Sequence, residues 1–154
     1  MAAMRLDRRW WVAIAVVVVV LVALGVSQTG LFGRSSQECA PVKDMLAFNR
    51  EQSQQIESKF GDAEGVPTPA EDIAYQAWAD GLAERAGKIT APDLAGTATQ
   101  LAYLANEFVG TLPEIRAQSA SRAPGAPAPP AAYEAMALNG QILEKIKALA
   151  DACK

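Results

Sequence analysis

Hydrophobic residues follow two unlike patterns along the chain, one continuous and one periodic. From Trp10 to Val26 the sequence runs for 17 residues without a charged or strongly polar side chain. At about 1.5 Å of helix per residue, this run and the mostly small or apolar residues up to Phe32 span the roughly 30 Å of a bilayer's hydrocarbon core. The pattern predicts a transmembrane signal-anchor helix over residues 10–32, preceded by a basic tail over residues 1–9.

The residues around the start of this run predict its orientation. Arg5, Arg8 and Arg9 precede it directly, and Trp10 and Trp11 stand where an interfacial aromatic belt is expected. By the positive-inside rule, the amino terminus is cytoplasmic. Everything after the anchor is then extracytoplasmic, beginning with a short linker over residues 33–38.

A cleaved signal peptide is the alternative interpretation of the same run. Ala23-Leu24-Gly25 offers a small-x-small cleavage pattern, and cleavage near Gly25 would release a secreted protein. The run is longer than the roughly 7–15 apolar residues of a signal peptide, which favours a retained anchor. A lipoprotein is disfavoured, because Ser36-Gln37-Glu38 before Cys39 is no lipobox.

Beyond the linker, residues 39–154 show the three-to-four-residue spacing of amphipathic helices. A first helix is predicted over 41–60. A second begins at the capping box Thr68-Pro69-Ala70-Glu71 and stops before Gly87. The predicted core-facing positions are, for the first helix, Val42, Met45, Leu46, Asn49, Ser53, Ile56 and Phe60, and for the second, Ile73, Ala74, Ala77, Trp78, Gly81 and Leu82.

A third helix is predicted from Thr90-Ala91-Pro92-Asp93, a weaker version of the same start signal, with a new helical turn restarting at Thr111-Leu112-Pro113-Glu114. Its core-facing positions are Leu94, Ala98, Leu101, Ala105 and Phe108. Residues 120–130, rich in alanine and proline, predict an exposed connector. A last helix follows, with Met136, Ile142, Ile146, Leu149 and Cys153 on one face. The predicted fold is all-α, an antiparallel four-helix bundle outside the membrane.

Cys39 and Cys153 are the only two cysteines, and they bracket the outer domain. Outside the cytoplasm such a pair is most simply a disulfide. A disulfide requires Cα atoms within about 7 Å, and an even number of antiparallel helices brings the two positions to one pole. The cysteine pair and the helix count therefore predict the same architecture.

Charge and composition narrow the classes of function. From Arg34 onward, 11 basic residues stand against 16 acidic ones, and no basic cluster interrupts them, so we expect no nucleic-acid binding. The chain has no histidine, which removes the commonest general base and zinc ligand. No nucleotide-binding glycine motif, Cys-x-x-Cys or Ser-x-x-Lys spacing is present. We expect no enzyme, no cofactor and no metal.

Two pairs of residues are candidate binding positions. Tyr75 and Trp78 lie three apart on the second helix, and are predicted as a partner surface if at least one is exposed. Asn49 and Ser53 interrupt the apolar stripe of the first helix and are predicted to line a small polar pocket. The Pro124–Pro127 spacing fits a proline-rich recognition motif, although such connectors are commonly only connectors.

These observations predict a function by contact and not by catalysis. We expect a membrane-anchored accessory or scaffold subunit of a bacterial cell-envelope complex for transport, secretion or respiration. Its partners would be the lipid bilayer and other envelope proteins. The alternative is an anchored domain that binds a lipid or small apolar ligand near Asn49 and Ser53.

Overall fold

A computed structural model describes residues 34–61 and 65–154. These residues form four helices, α1 (Ser36–Phe60), α2 (Pro69–Ala86), α3 (Pro92–Ala120) and α4 (Pro130–Ala152), so the prediction of an all-helical fold with four helices is confirmed. Among the described residues, none of the helices has the length and hydropathy that a membrane crossing needs. The predicted tail (1–9), membrane helix (10–32) and cleavage site near Gly25 lie outside the described residues.

Helix α1 begins at Ser36, five residues before the predicted start, so the second half of the predicted linker, residues 36–38, is helical. The Ser35 hydroxyl accepts a hydrogen bond from the Glu38 amide at 3.3 Å, which caps the helix. Pro41 lies inside the helix. Its missing N–H leaves only the carbonyl of the exposed Gln37 without a helical donor, and solvent can satisfy that carbonyl.

Helix α2 begins as predicted. The Thr68 hydroxyl accepts from the Glu71 amide at 3.3 Å, and the Glu71 carboxylate accepts from the Thr68 amide, which completes the capping box. The helix ends at Ala86, and Gly87 donates its backbone N–H to the Ala83 carbonyl at 3.2 Å.

Helix α3 differs from its prediction at both ends. It begins at Pro92 with Ala91 as its N-cap and no side-chain cap, so the start signal at Thr90 forms no box. It then continues through Pro113 to Ala120, and the predicted restart at Thr111 is wrong. Proline removes one helical hydrogen bond. Leu112 and Ile115, on either side of Pro113, are both buried, and their packing into the core keeps the chain helical.

The predicted connector and α4 are present. Residues 121–129 join α3 to α4 without regular structure. The Gln118 side-chain carbonyl accepts a hydrogen bond from the Ala131 amide at 3.0 Å, which ties the end of α3 to the start of α4.

Consecutive helices run antiparallel, as contacts between opposite ends show. Arg85, near the end of α2, pairs with Asp44 near the start of α1, with 3.2 Å between Nε and Oδ2. Arg116, near the end of α3, pairs with Asp72 near the start of α2, with 3.2 Å between Nη1 and Oδ1. Among neighbouring helices, α3 and α4 share the largest contact, and α1 and α4 the smallest.

The Cys39–Cys153 disulfide is present, as predicted, with 5.5 Å between the Cα atoms. It joins the first turn of α1 to the residue after α4, and both cysteines are buried. Arg34 pairs with Asp93 at the start of α3, with 3.1 Å between Nη1 and Oδ1. The chain therefore enters and leaves the bundle at one pole, the pole that follows the predicted anchor.

A single core lies between the helices. All five core positions predicted on α3 are buried, as are Ile142, Ile146 and Leu149 on α4. Ile73, predicted as a core position of α2, is 73% exposed. At about 100° per residue, it lies about 140° around the helix from Trp78, whose side chain faces the core.

Candidate functional site

A surface groove runs between α2 and α3. It has a volume of about 400 Å³. Its lining residues are Asp72, Ile73 and Gln76 from α2, and Asn106, Val109, Gly110 and Pro113 from α3. Because α2 and α3 are antiparallel, the start of α2 lies beside the end of α3. The groove is therefore built from the first turns of one helix and the later turns of the other.

The groove exists because α3 carries no bulky side chain where it faces solvent here. Gly110 is exposed, and a Cβ built on it would meet nothing within 4 Å. A mid-helix glycine is about 0.5–1 kcal/mol less favourable than alanine, and nothing in the described fold requires one at this position. Pro113 cannot donate a helical hydrogen bond to the Val109 carbonyl. The groove floor thus combines apolar surface with a backbone acceptor that lacks its usual partner.

Two large side chains project from the same side of the bundle. Ile73 is 73% exposed and lines the groove, and Tyr103 is 62% exposed. Tyr103, Asn106 and Gly110 follow one another at spacings of three and four and so share one face of α3. The Tyr103 hydroxyl donates to Glu107 at 2.7 Å, which holds the ring along the helix. We call the groove residues together with Tyr103 the α2–α3 face.

The groove carries no uncompensated charge. Its one ionisable lining residue is Asp72, whose carboxylate receives two hydrogen bonds from Arg116. Arg116 also donates to the Pro67 carbonyl at 3.0 Å, and the Asp72 pairing raises the pKa of the guanidinium. Arg116 is thereby fixed beside α2, and the two charges cancel at the edge of the groove.

Of the two residues of the predicted partner surface, Tyr75 and Trp78, the structure places Trp78 in the core, where it is 5% exposed. Tyr75, Trp78 and Phe108 form a cluster of edge-on rings, with centroids 5.4–6.2 Å apart. Burial raises the pKa of the Tyr75 hydroxyl to about 12, and the Glu71 carboxylate adds to the effect. The rings pack against one another because α2 and α3 meet here, so the cluster belongs to the core.

Asn49 is also a core residue, with no exposed surface. Its side-chain carbonyl accepts a hydrogen bond from the Trp78 indole N–H at 2.8 Å. Its Nδ2 has no partner among the described residues. Ser53, one turn later, is half-buried. The hydrogen bond explains why a polar residue interrupts the apolar stripe of α1, and the pocket expected around Asn49 and Ser53 stays a prediction.

Asp80 and Glu84 lie one turn apart on α2, and each carboxylate accepts a side-chain hydrogen bond. A general acid needs a raised pKa, whereas a hydrogen bond from Lys88 lowers the pKa of Glu84. Asp80 accepts a hydrogen bond from Gln76 at 2.8 Å. Over 34–61 and 65–154, no group of three or more acidic or cysteine side chains is arranged to hold a metal ion.

Sequence reasoning missed the α2–α3 face. The available signal was Gly110 and Pro113, two poor helix formers that stand three residues apart in an otherwise strong helical pattern. These two residues line the groove only because of how α3 is aligned with α2. The spacing of residues within one helix does not predict that alignment. Comparison with family models, curated proteins and solved structures finds no match for this chain.

Proposed function

We propose that the protein is a non-enzymatic, membrane-anchored accessory subunit of a bacterial cell-envelope complex, one that acts in transport, secretion or respiration. Its helical domain lies outside the cytoplasm and works by contact with other envelope proteins. Residues 10–32 hold it in the bilayer.

The cysteine pair and the sequence of the first 32 residues support this location. Disulfides persist in oxidising compartments, and Cys39 and Cys153 are joined across the bundle. The joined pole is the one from which the chain continues towards the apolar run. Arginines at positions 5, 8 and 9 favour a cytoplasmic amino terminus.

The observation that carries the proposal is the exposure of large apolar side chains on the α2–α3 face. Among the described residues, three large apolar or aromatic side chains are more than half exposed: Ile73 and Tyr103 lie together on this face, and Tyr133 stands apart on α4. Exposed apolar surface beside a groove is typical of protein contact sites. The alternative, a lipid-binding pocket at Asn49, has less support because that side chain is fully buried and bonded to Trp78.

The proposal is tested by isolating the full-length chain from native membranes in a mild detergent. We expect it to fractionate with the membrane, to resist alkaline extraction, and to co-purify with other envelope proteins in a fixed ratio. Protease added outside intact spheroplasts should cleave the helical domain. Intact mass before and after reduction and alkylation should show one disulfide and an uncleaved amino terminus.

Two results would contradict the proposal. One is recovery of the chain as a lone monomer, without stoichiometric partners. The other is protection of the helical domain from external protease, with both cysteines open to alkylation in the native protein.

A further inference from the structure

We propose that the α2–α3 face binds a second copy of this chain, to form a symmetric side-by-side dimer on the membrane. This inference rests on the proposed function, since membrane anchoring orients both copies alike. It adds what the proposed function leaves open, namely the occupant of this face.

Charge favours a second copy at this face. From Arg34 onward the chain is net negative by five, so two copies repel each other in most orientations. The groove is an exception, because its only ionisable lining residue, Asp72, is neutralised by Arg116. Two copies that approach through the groove therefore place no unpaired groove charge between them.

Shape also favours a self-complementary contact. A two-fold dimer requires one patch to contain both the projecting and the receiving elements. Ile73 projects from the rim of the groove, and Gly110 leaves space in its floor. The exposed amides of Gln76 and Asn106, in the same groove, supply donors and acceptors for a partner backbone. Gly110 and Pro113, unfavourable for α3 on its own, allow a second helix to approach closely.

Size determines how strong this contact can be. Helix α2 has 18 residues, so a face two helices wide and as long as α2 measures about 27 by 20 Å. Two copies would bury about 1,000 Å² in total, at the lower end for specific interfaces. Such a contact is weak between domains free in solution. Anchoring raises the effective concentration and leaves only rotations about the membrane normal, the axis that a side-by-side dimer needs.

The test uses the full-length chain in membranes. Two copies with different epitope tags are co-expressed, solubilised in a mild detergent, and purified through one tag, and the other tag is quantified. The mass of the purified protein is measured by light scattering with detergent subtracted. We expect a dimer mass and recovery of the second tag. Ile73→Glu should reduce that recovery by roughly tenfold or more, because it buries an unpaired carboxylate.

A second variant and two matched controls separate dimer loss from misfolding. Gly110→Leu fills the groove, yet the open space at Gly110 lets the single domain accept the side chain. Gly140→Leu makes the same change at an exposed helical glycine of α4, also with open space. Ala148→Glu adds the same charge on the exposed surface of α4. Gly110→Leu should lose the dimer, and both controls should keep it.

Three outcomes would overturn the inference: a monomeric wild-type chain, a dimer that survives both Ile73→Glu and Gly110→Leu, and a dimer lost equally in the α4 controls. If the wild-type chain is not dimeric but holds a different protein that both face variants release, the second copy is excluded while the proposed function stands. A dimer with no other envelope protein supports this inference and contradicts the proposed function.

Discussion

At the scale of single residues, the fold contains one buried polar contact whose two partners depend on each other. The Trp78 indole N–H donates to the Asn49 side-chain carbonyl, so each group satisfies the other. Removing one partner leaves the other buried and unsatisfied, which costs about 1–3 kcal/mol, more than the net gain of an ordinary hydrogen bond. The hydrogen bond therefore favours the one alignment of α1 and α2 in which Asn49 meets Trp78.

Asn49→Ala and Trp78→Phe should each lower the free energy of unfolding by about 1–3 kcal/mol. Because both changes remove the same hydrogen bond, the double variant should lose clearly less than the sum of the two. Urea denaturation of the full-length, oxidised chain in detergent measures all three values. Additive losses would show that the two side chains do not interact in the folded protein.

Asp151 lies in the last turn of α4, where the helix dipole disfavours an anion. Hydrogen bonds from Lys147 and Lys154 lower the pKa of its carboxyl to about 2. A lowered pKa in the folded state stabilises the fold above the ordinary pKa of 3.8, and this contribution is lost as the pH falls towards 2. The stability difference between wild type and Asp151→Asn should therefore shrink between pH 5 and pH 2, as followed by urea midpoints. A constant difference over that range would contradict the lowered pKa.

At the scale of elements, the Phe48 ring of α1 packs against α2. The tip of the Phe48 ring points at Gly81, and a Cβ at that position would overlap it. The Arg85 guanidinium lies over the ring face, 3.8 Å from its centroid, and also pairs with Asp44. Gly81 thus sets how closely α1 and α2 approach, and the stacked ring favours one alignment between them.

Gly81→Ala should destabilise the fold by about 1–3 kcal/mol, because the ring must leave its position and its contact with Arg85. Helix propensity alone predicts the opposite sign. The matched control is Gly96→Ala, at a glycine with open space around it, which should stabilise the fold by about 0.5–1 kcal/mol. Thermal unfolding followed by circular dichroism distinguishes them. A stabilising Gly81→Ala would show that the ring moves aside at no cost.

At the scale of the whole molecule, one covalent bond closes the bundle where its helix contacts are weakest. Of the neighbouring helix pairs, α1 and α4 have the smallest contact, and the disulfide joins these two helices. The cysteines are 114 residues apart, so the bond restricts almost the entire unfolded helical domain. Long closed loops give the largest stabilisation in the chain-entropy description.

Replacing both cysteines by serine should lower the free energy of unfolding by about 4–5 kcal/mol. The measurement compares urea midpoints and slopes of the full-length wild type, oxidised and reduced, with those of Cys39→Ser/Cys153→Ser. The reduced wild type should match the double variant. Equal stability of the oxidised and reduced proteins would contradict the closing role of the bond.

The sequence predicted those features that depend on neighbours along the chain, and missed those that depend on helix alignment. The Thr68–Glu71 capping box and the α3 core stripe are local, and both are confirmed. Ile73 belongs to the predicted core because apolar residues recur near it, but Trp78, Ala79 and Leu82 define the buried side of α2. The predicted helix restart at Thr111 is wrong because burying Leu112 and Ile115 outweighs the one hydrogen bond that Pro113 removes. The groove could not be predicted without knowing how α2 is aligned with α3.

The disulfide also determines how the domain responds to mechanical tension. A load applied between the chain that precedes the bundle and residue 154 reaches the disulfide at Cys39 and leaves it at Cys153. These residues are covalently joined, with Cα atoms 5.5 Å apart. The load therefore passes through the sulfur atoms and bypasses the chain between them, so the helices from Cys39 onward remain folded while the chain is pulled. Reduction would make the same load unravel α1 and α4 from their outer ends.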